Sequence, residues 1–473
     1  MLRIVNPSTD AVVGEIEESS DAAVASAVGA ARVAVATWRS TPAAQRGAAL
    51  RRVAASIEND ADALARLNAR ETGKLIGDAR GGVSAAVTTI RQYAELGPLH
   101  RGKSLNGNWN ATDLMVNEPF GVAAVITPWN DPVAVSAGLL AGALVSGNTV
   151  VHKPSERAPH VGAALAAHFA KELPDDVLHV VQGGAGVGAR LVEDPGVDVI
   201  AHVGSTAAGR SVAAAAARTG AKTILENGGN DALIVDAAGD VEPTAWARWA
   251  ADQAAVGAFA NAGQICTSVE RIFVLRAVAD AFVDALVARA LALRPGNALD
   301  DDTSLGPLVD RRHREQVHSH ITDAMAAGAK TLAGGVVPDG AGAYYPATVL
   351  LDDASDSLVW REETFGPVAP VRVVDDFDTA LLLADDSGYG LAATVLTSSM
   401  ANAQRAWREL DVATVKVNAV FGGAPGGAAQ PRRASGHGFG YGPELLDEFS
   451  QLKVLHLSGA LPAPSGRCGL LSQ

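Results

Sequence analysis

Hydrophobic positions along this chain follow two rhythms. Over roughly the first hundred residues they recur every three or four positions. Leu50, Val53 and Ile57 share one helical face, the period of an amphipathic helix. Further helices are expected over 21 to about 38, 60–72 and 81–93. Asp21 reads as the cap of the first. Thr41-Pro42 reads as a hydroxyl cap with a first-turn proline for the helix carrying Leu50, and Gly73 as a helix stop. Residues 1–16 read as two short extended segments around Asn6-Pro7-Ser8. From Phe120 the rhythm changes. Short apolar runs at 122–126, 149–152, 177–181, 197–203 and 222–225 alternate with helical patterns, which predicts a parallel sheet covered on both faces. In such sheets ligands bind beyond the carboxyl ends of strands. A second α/β region runs from about 228 to 429, with an apolar run at 256–260 and helical patterns at 278–292 and 379–385. Turn residues Gly107, Asn108, Asn110 and Asp113 make 103–119 a hairpin arm, and 449–457 reads as a late strand. The Gly/Pro/Ala-rich stretch 422–442 reads as loop, and the tail from Ser458 as poorly ordered. No internal repeat interrupts this order.

Composition narrows the picture. With 473 residues, two or three domains are expected. A formal net charge of −14 argues against a nucleic-acid partner, which needs a basic footprint. No cationic segment with a following apolar run opens the chain, so no secretory signal is expected. The most apolar run, 133–145, meets Ser146-Gly147-Asn148 too early to span a bilayer. A cytoplasmic protein in a reducing compartment is the expectation. The chain has 2 cysteines, Cys266 and Cys468, and the second lies in a Gly/Pro/Ser-flanked tail. That is no disulfide framework, so Cys266 is either a small core residue or a nucleophile. No metal is called for.

Five stretches could carry chemistry. Thr127-Pro128-Trp129-Asn130 follows a strand, where a polar side chain can reach a ligand; the plain alternative is a turn. Lys153 and Glu156 flank Pro154 and could both reach ribose hydroxyls, or sit in a solvated loop. Glycine-rich turns from Gly183 through Gly184 to Gly188, and from Gly204 through Ser205 to Gly209, each lead from a strand into a helix. There backbone N–H groups can approach a pyrophosphate, although ordinary tight turns also use glycine. Glu226 stands just beyond a buried strand as an ion-pair partner or a base. Glu362-Glu363-Thr364-Phe365-Gly366-Pro367 would, by itself, be a surface turn.

In this order, and with Gly263-Gln264-Ile265-Cys266 and Arg271 added, the motifs resemble the aldehyde dehydrogenase superfamily in its NAD(P)-dependent, hydrolytic branch. The resemblance runs from Asn6-Pro7 to the strand around Lys453. It implies an α/β fold: a Rossmann-type cofactor domain (1–100 and 120–227), an α/β catalytic domain (228–431) and a small β oligomerisation domain (101–119 with 447–459). A homodimer or homotetramer follows. It also implies Cys266 as nucleophile, the Asn130 amide with the Cys266 N–H as oxyanion donors, and Glu226 as the base that activates water against a thioester. NAD would be the cofactor. Lys153 and Glu156 would meet its adenosine ribose and Ser205 its pyrophosphate, with Gly184, Gly188, Gly204 and Gly209 allowing close approach. Trp129 would border the groove, Glu363 would hold the nicotinamide ribose, and Phe365 would pack beside the ring.

Some positions depart from the pattern. Cys266 follows Glu226 by 266 − 226 = 40 residues, a few more than usual, with the extra length expected in the 237–249 connection. Asp131 stands where an aromatic residue is common, Leu139 where a lysine linked to proton relay is common, and Gly138, Ala260 and Ala429 where bulk is common. The expected substrate is therefore a bulky, or hydroxyl- or amine-bearing, aldehyde, with Asp131 either hydrated in a wide mouth, paired with the substrate, or paired with a nearby arginine. Arg432 and Arg433 read as a solvated loop, or as a site for an anionic substrate. Two other functions share these motifs: acyl transfer to coenzyme A, whose enzymes generally lack the glutamate, and a non-catalytic binding protein on the same fold.

Overall fold

The computed structural model describes residues 1–352, 356–423 and 426–458. The tail from 459, Cys468 included, lies outside the described residues.

The early helical rhythm folds as four helices, Asp21–Ser40, Ala43–Asn59, Ala61–Thr72 and Ile76–Leu96. Gly73 closes the third in the left-handed region at φ 78°, as expected of a stop. Two caps differ from expectation. Ser20 Oγ, one residue before Asp21, accepts from Ala23 N; Asp21 itself is the first helical residue, where its charge suits the helix dipole. Thr41 Oγ1 donates back to the Thr37 carbonyl. It thus closes the preceding helix, and the next begins without a side-chain cap.

All five predicted strands from 122 to 226 enter one six-stranded sheet. Its order is Gly436–His437, Lys222–Glu226, Val199–Val203, Val122–Ile126, Thr149–Lys153 and Leu178–Val180. The five long members run parallel. Val122–Ile126 is first in the chain and central in space. Later strands add on one side, then on the other, so the connection reverses between Val122–Ile126 and Val199–Val203. A crevice opens at such a reversal, beyond the carboxyl ends. Helices Ile76–Leu96 and Pro132–Ser146 cover one face with a buried apolar cluster, and Asp21–Ser40 and Ala185–Glu193 pack against the other.

A second sheet has seven strands, in the order Lys330–Ala333, Thr348–Leu351, Val368–Val374, Val269–Leu275, Asp231–Val235, Ala392–Leu396 and Thr414–Val417. Only the Lys330–Ala333 edge pairs antiparallel. This sheet has its own core. The apolar run at 256–260 belongs to the end of helix Pro243–Phe259; a short buried run cannot be told from a strand by period alone. The hairpin arm and the late strand form a three-stranded antiparallel sheet, Ser450–Ser458 with Ala111–Pro119 and Lys103–Leu105. The stretch 422–442 is not all loop. Arg432–Arg433 pairs with Tyr389–Gly390, and Gly436–His437 adds an antiparallel edge to Lys222–Glu226. Two-residue pairings leave no period to read. Among the described residues no helix is long and apolar enough to cross a membrane, and no group of three metal-ligating side chains gathers.

Candidate active site

Cys266 lies just before the strand Val269–Leu275, at the amino edge of the seven-stranded sheet. The loop that presents it is tightly held. Helix Pro243–Phe259 passes into a short turn in which Asn261 and Ala262 adopt left-handed φ of 49° and 54°, costly for residues with a Cβ and common at functional sites. Gly263, at φ 73°, passes so close to Gly366 that an added Cβ would strike its carbonyl. Gln264 braces the loop: Oε1 accepts from Val309 N at 2.9 Å and Nε2 donates to the Asn261 carbonyl at 2.9 Å. Cys266 opens to the cleft and is enclosed by protein on its other sides. Burial, then the carboxyls of Glu226, Asp231 and Glu363, push its thiol up to about 12, against a downward pull from Lys416.

The carboxyl ends of the two strands flanking the sheet reversal face this loop. After Val122–Ile126 come Pro128, Trp129 and Asn130; after Val199–Val203 come Gly204 and Ser205; all line the cleft with Glu226, Cys266 and Glu363. Asn130 Nδ2 donates to the Gln264 carbonyl at 3.0 Å. An amide nitrogen carries two hydrogens, so one remains for the cleft. Glu226 ends the strand Lys222–Glu226. Burial raises its carboxyl to about 8, although the Gly440 N–H donates to Oε1 at 2.9 Å and pulls the other way. Glu363 is raised well above the ordinary value by burial first and then by Glu270, while Gly229 N donates to its Oε1 at 3.0 Å.

Phe365 stands at a left-handed φ of 52°. Glu270 holds it there, accepting from Phe365 N at 2.7 Å and Thr364 N at 2.9 Å. Phe365 meets Trp129 edge-on, ring centroids 5.5 Å apart, and His313 packs against both. Arg157 lies over the Trp129 ring at 5.3 Å and pairs with Asp310 at 2.9 Å. Arg157, Gln316 and His313 line the cleft, and Glu270 supports it; sequence reasoning passed over all four. They sit in an ordinary loop, an ordinary helix and a strand, with no local spacing to mark them.

The cofactor candidates divide. Ser205 caps helix Thr206–Thr219, its Oγ accepting from Ala208 N, so that helix opens on the cleft. Gly204 and Gly209 are small for reasons inside the protein: an added Cβ would collide with the His202 ring and with the Asn227 side chain. Lys153 and Glu156 form a second cluster beside the cleft. Lys153 is buried and donates to the Pro154 carbonyl at 2.9 Å, while Glu156 acts on it and on Arg157. Gly188 packs on the Lys153 side chain. Gly184 begins helix Ala185–Glu193, and its N–H meets the Glu18 carboxylate at 3.4 Å. A protein carboxylate therefore already sits where a pyrophosphate was expected.

Three departures are settled by contacts. Asp131 pairs with Lys74 at 3.1 Å, not with an arginine, and its side chain stays a third exposed. Leu139 is buried among the helices of the first core. Arg432 and Arg433 both pair with Asp411 at 2.9 Å, and Arg433 also with Asp385. They staple their loop through ion pairs at the surface.

The sequence matches the model of the aldehyde dehydrogenase family over residues 1–455. It is 33% identical over 469 residues to glutarate-semialdehyde dehydrogenase of Pseudomonas putida, covering 97% of this chain and 94% of that one. It is 37% identical over 427 residues to α-ketoglutarate semialdehyde dehydrogenase of Haloferax volcanii, covering 88% and 86%. The fold superposes on the crystal structure of succinate-semialdehyde dehydrogenase from Burkholderia pseudomallei with a TM-score of 0.92 at 32% identity, covering 96% and 94%. With a thiol, an amide and a carboxyl meeting where two α/β sheets face each other, and with this likeness along its whole described length, the chain belongs to the aldehyde dehydrogenase family.

Proposed function

We propose that this protein oxidises an aldehyde to a carboxylic acid with NAD as hydride acceptor, and that Cys266, Asn130 and Glu226 carry the chemistry. The observation behind this is their convergence on one cleft from three different elements. The residues present suit the cofactor: helix Thr206–Thr219 opens on the cleft through Ser205, and Glu363 presents a buried carboxyl there. When bound, NAD supplies the hydride acceptor. The Cys266 thiol gives up its proton to solvent, its sulfur attacks the aldehyde carbon, and the oxyanion that forms accepts hydrogen bonds from the free Asn130 N–H and the Cys266 N–H. Loss of hydride from that carbon leaves a thioester on Cys266. Glu226 then takes a proton from water, whose oxygen displaces the sulfur and releases the acid.

Lys153, Glu156 and Ser205 are proposed to meet the adenosine ribose and pyrophosphate, and Trp129, Glu363 and Phe365 the nicotinamide half. The substrate we propose is a polar aldehyde carrying its own carboxylate. Lys416, whose ammonium donates to the Val420 carbonyl at 2.8 Å, is near enough to act on Cys266, and Ala260, beside the nucleophile loop, leaves room. With Asp131 neutralised by Lys74, an amine-bearing substrate loses its partner. The relatives named above act, by their names, on semialdehydes. A homo-oligomer assembled through the three-stranded arm, in a cytoplasm that keeps Cys266 reduced, completes the reading. The test is NADH absorbance with short aliphatic, aromatic, amino and acidic aldehydes, with and without coenzyme A. Turnover only with coenzyme A would reject the hydrolytic reading. Cys266→Ala should abolish oxidation and leave NAD binding nearly intact.

A further inference from the structure

Beside Asn130 lies a charge pair that the reaction above does not use. Asp131 opens helix Pro132–Ser146, yet its carboxylate makes no capping bond. It turns instead to Lys74, Nζ to Oδ1 3.1 Å, with the Lys74 side chain 10% exposed. The same ammonium reaches the Asn130 carbonyl at 3.5 Å, and Asn261 Nδ2 donates to that carbonyl at 3.4 Å. Lys74 is itself fixed. It follows Gly73, which is wedged so that an added Cβ would come 2.7 Å from Pro307 and 2.9 Å from Pro7. Helix Ile76–Leu96 closes the other side: a Cβ on Gly82 would stand 3.0 Å from Asp131 Oδ1, and Asp78 of that helix also acts on Lys74.

An ammonium this enclosed is costly unless paired. A bare carboxylate one residue from a forming oxyanion would oppose it through like-charge repulsion. Pairing removes both difficulties, and the ammonium has a donor left for the Asn130 peptide.

We infer that the Lys74–Asp131 pair positions Asn130, holding the peptide from which its amide reaches the oxyanion while cancelling the Asp131 charge. The inference rests on the proposed role of Asn130. Its test uses the full chain and p-nitrophenyl acetate: the Cys266 thiol loses its proton to solvent, its sulfur bonds to the acyl carbon, the ester C–O bond breaks, and p-nitrophenolate leaves through an oxyanion without cofactor. Iodoacetamide alkylates the same sulfur by direct displacement, with no oxyanion. Lys74→Met should slow acylation about tenfold while alkylation stays within about twofold, and Lys74→Arg should restore most of the loss. In an Asn130→Ala background, Lys74→Met should change acylation less than about twofold, because coupled residues are non-additive. No loss from Lys74→Met, equal losses in both backgrounds, or a parallel fall in alkylation would overturn the inference. If Asn130→Ala acylates at the wild-type rate, it is the assignment of Asn130 that fails, and the positioning role with it. Should Lys74→Met not fold, Asp131→Asn, of the same size, runs the same cycle.

Discussion

At the scale of single residues, two carboxyl groups carry separate predictions, Glu226 in the cleft and Glu156 beside it. Glu226 stays protonated up to about pH 8 because burial outweighs its one backbone donor. A base acts only when deprotonated, so the steady-state rate should climb with pH through about 8 wherever deacylation limits turnover. Glu226→Gln should give a burst of NADH, then a slow phase without that climb. A Gln variant with an unchanged pH profile would remove Glu226 from the reaction. Glu156, beside Lys153 and Arg157, can accept from a free ribose hydroxyl and would repel an added phosphate. NAD should be preferred over NADP by at least about tenfold, a difference of only roughly 1.4 kcal/mol; equal specificity constants would contradict this.

Among elements, legibility followed period. The strands from 122 to 226 and the helix around Leu50, Val53 and Ile57 were readable because each repeats a pattern over a full turn or pleat. Trp129, Asn130, Glu226, Glu363 and Cys266 were readable because their motifs follow one another in family order. Gly436–His437, the Glu270 brace and the Lys74–Asp131 pair were not, since each depends on residues far apart in the chain. The arm has a consequence at this scale. Leu452 and Val454 on one face of Ser450–Ser458, and Leu455 and Leu457 with Val116 of Ala111–Pro119 on the other, stand exposed, apolar area that a monomer rarely leaves bare. Replacing Leu452 and Val454 by glutamate should lower the sedimentation coefficient to that of a single chain while keeping the fold. An unchanged coefficient would show that the arm is not the contact.

Across the whole molecule, the junction between the two sheets concentrates buried acid. Asp231, raised to about 8 mainly by burial, and Glu270, raised to about 7, lie close to Glu363. In each, the folded state holds its proton more tightly than the unfolded chain. The stability they contribute is therefore full below the ordinary carboxylate range and is lost as pH rises through their folded values. Asp231→Asn keeps the shape without the titration. Its melting temperature relative to wild type should rise between about pH 5 and 9, corresponding to a few kcal/mol at the upper end. A difference that stays flat with pH would mean that Asp231 is already ionised in the fold.

The edge strand Gly436–His437 also has a consequence in time. Gly436 lies against Glu226 in the sheet and Gly440 holds its carboxyl, whereas the cysteine loop and all seven strands of the other sheet are complete by residue 417. A polypeptide emerging from the ribosome thus presents its nucleophile before its base is seated. Chain order thus completes the cysteine loop and its sheet before the two glycines that hold Glu226 have been made.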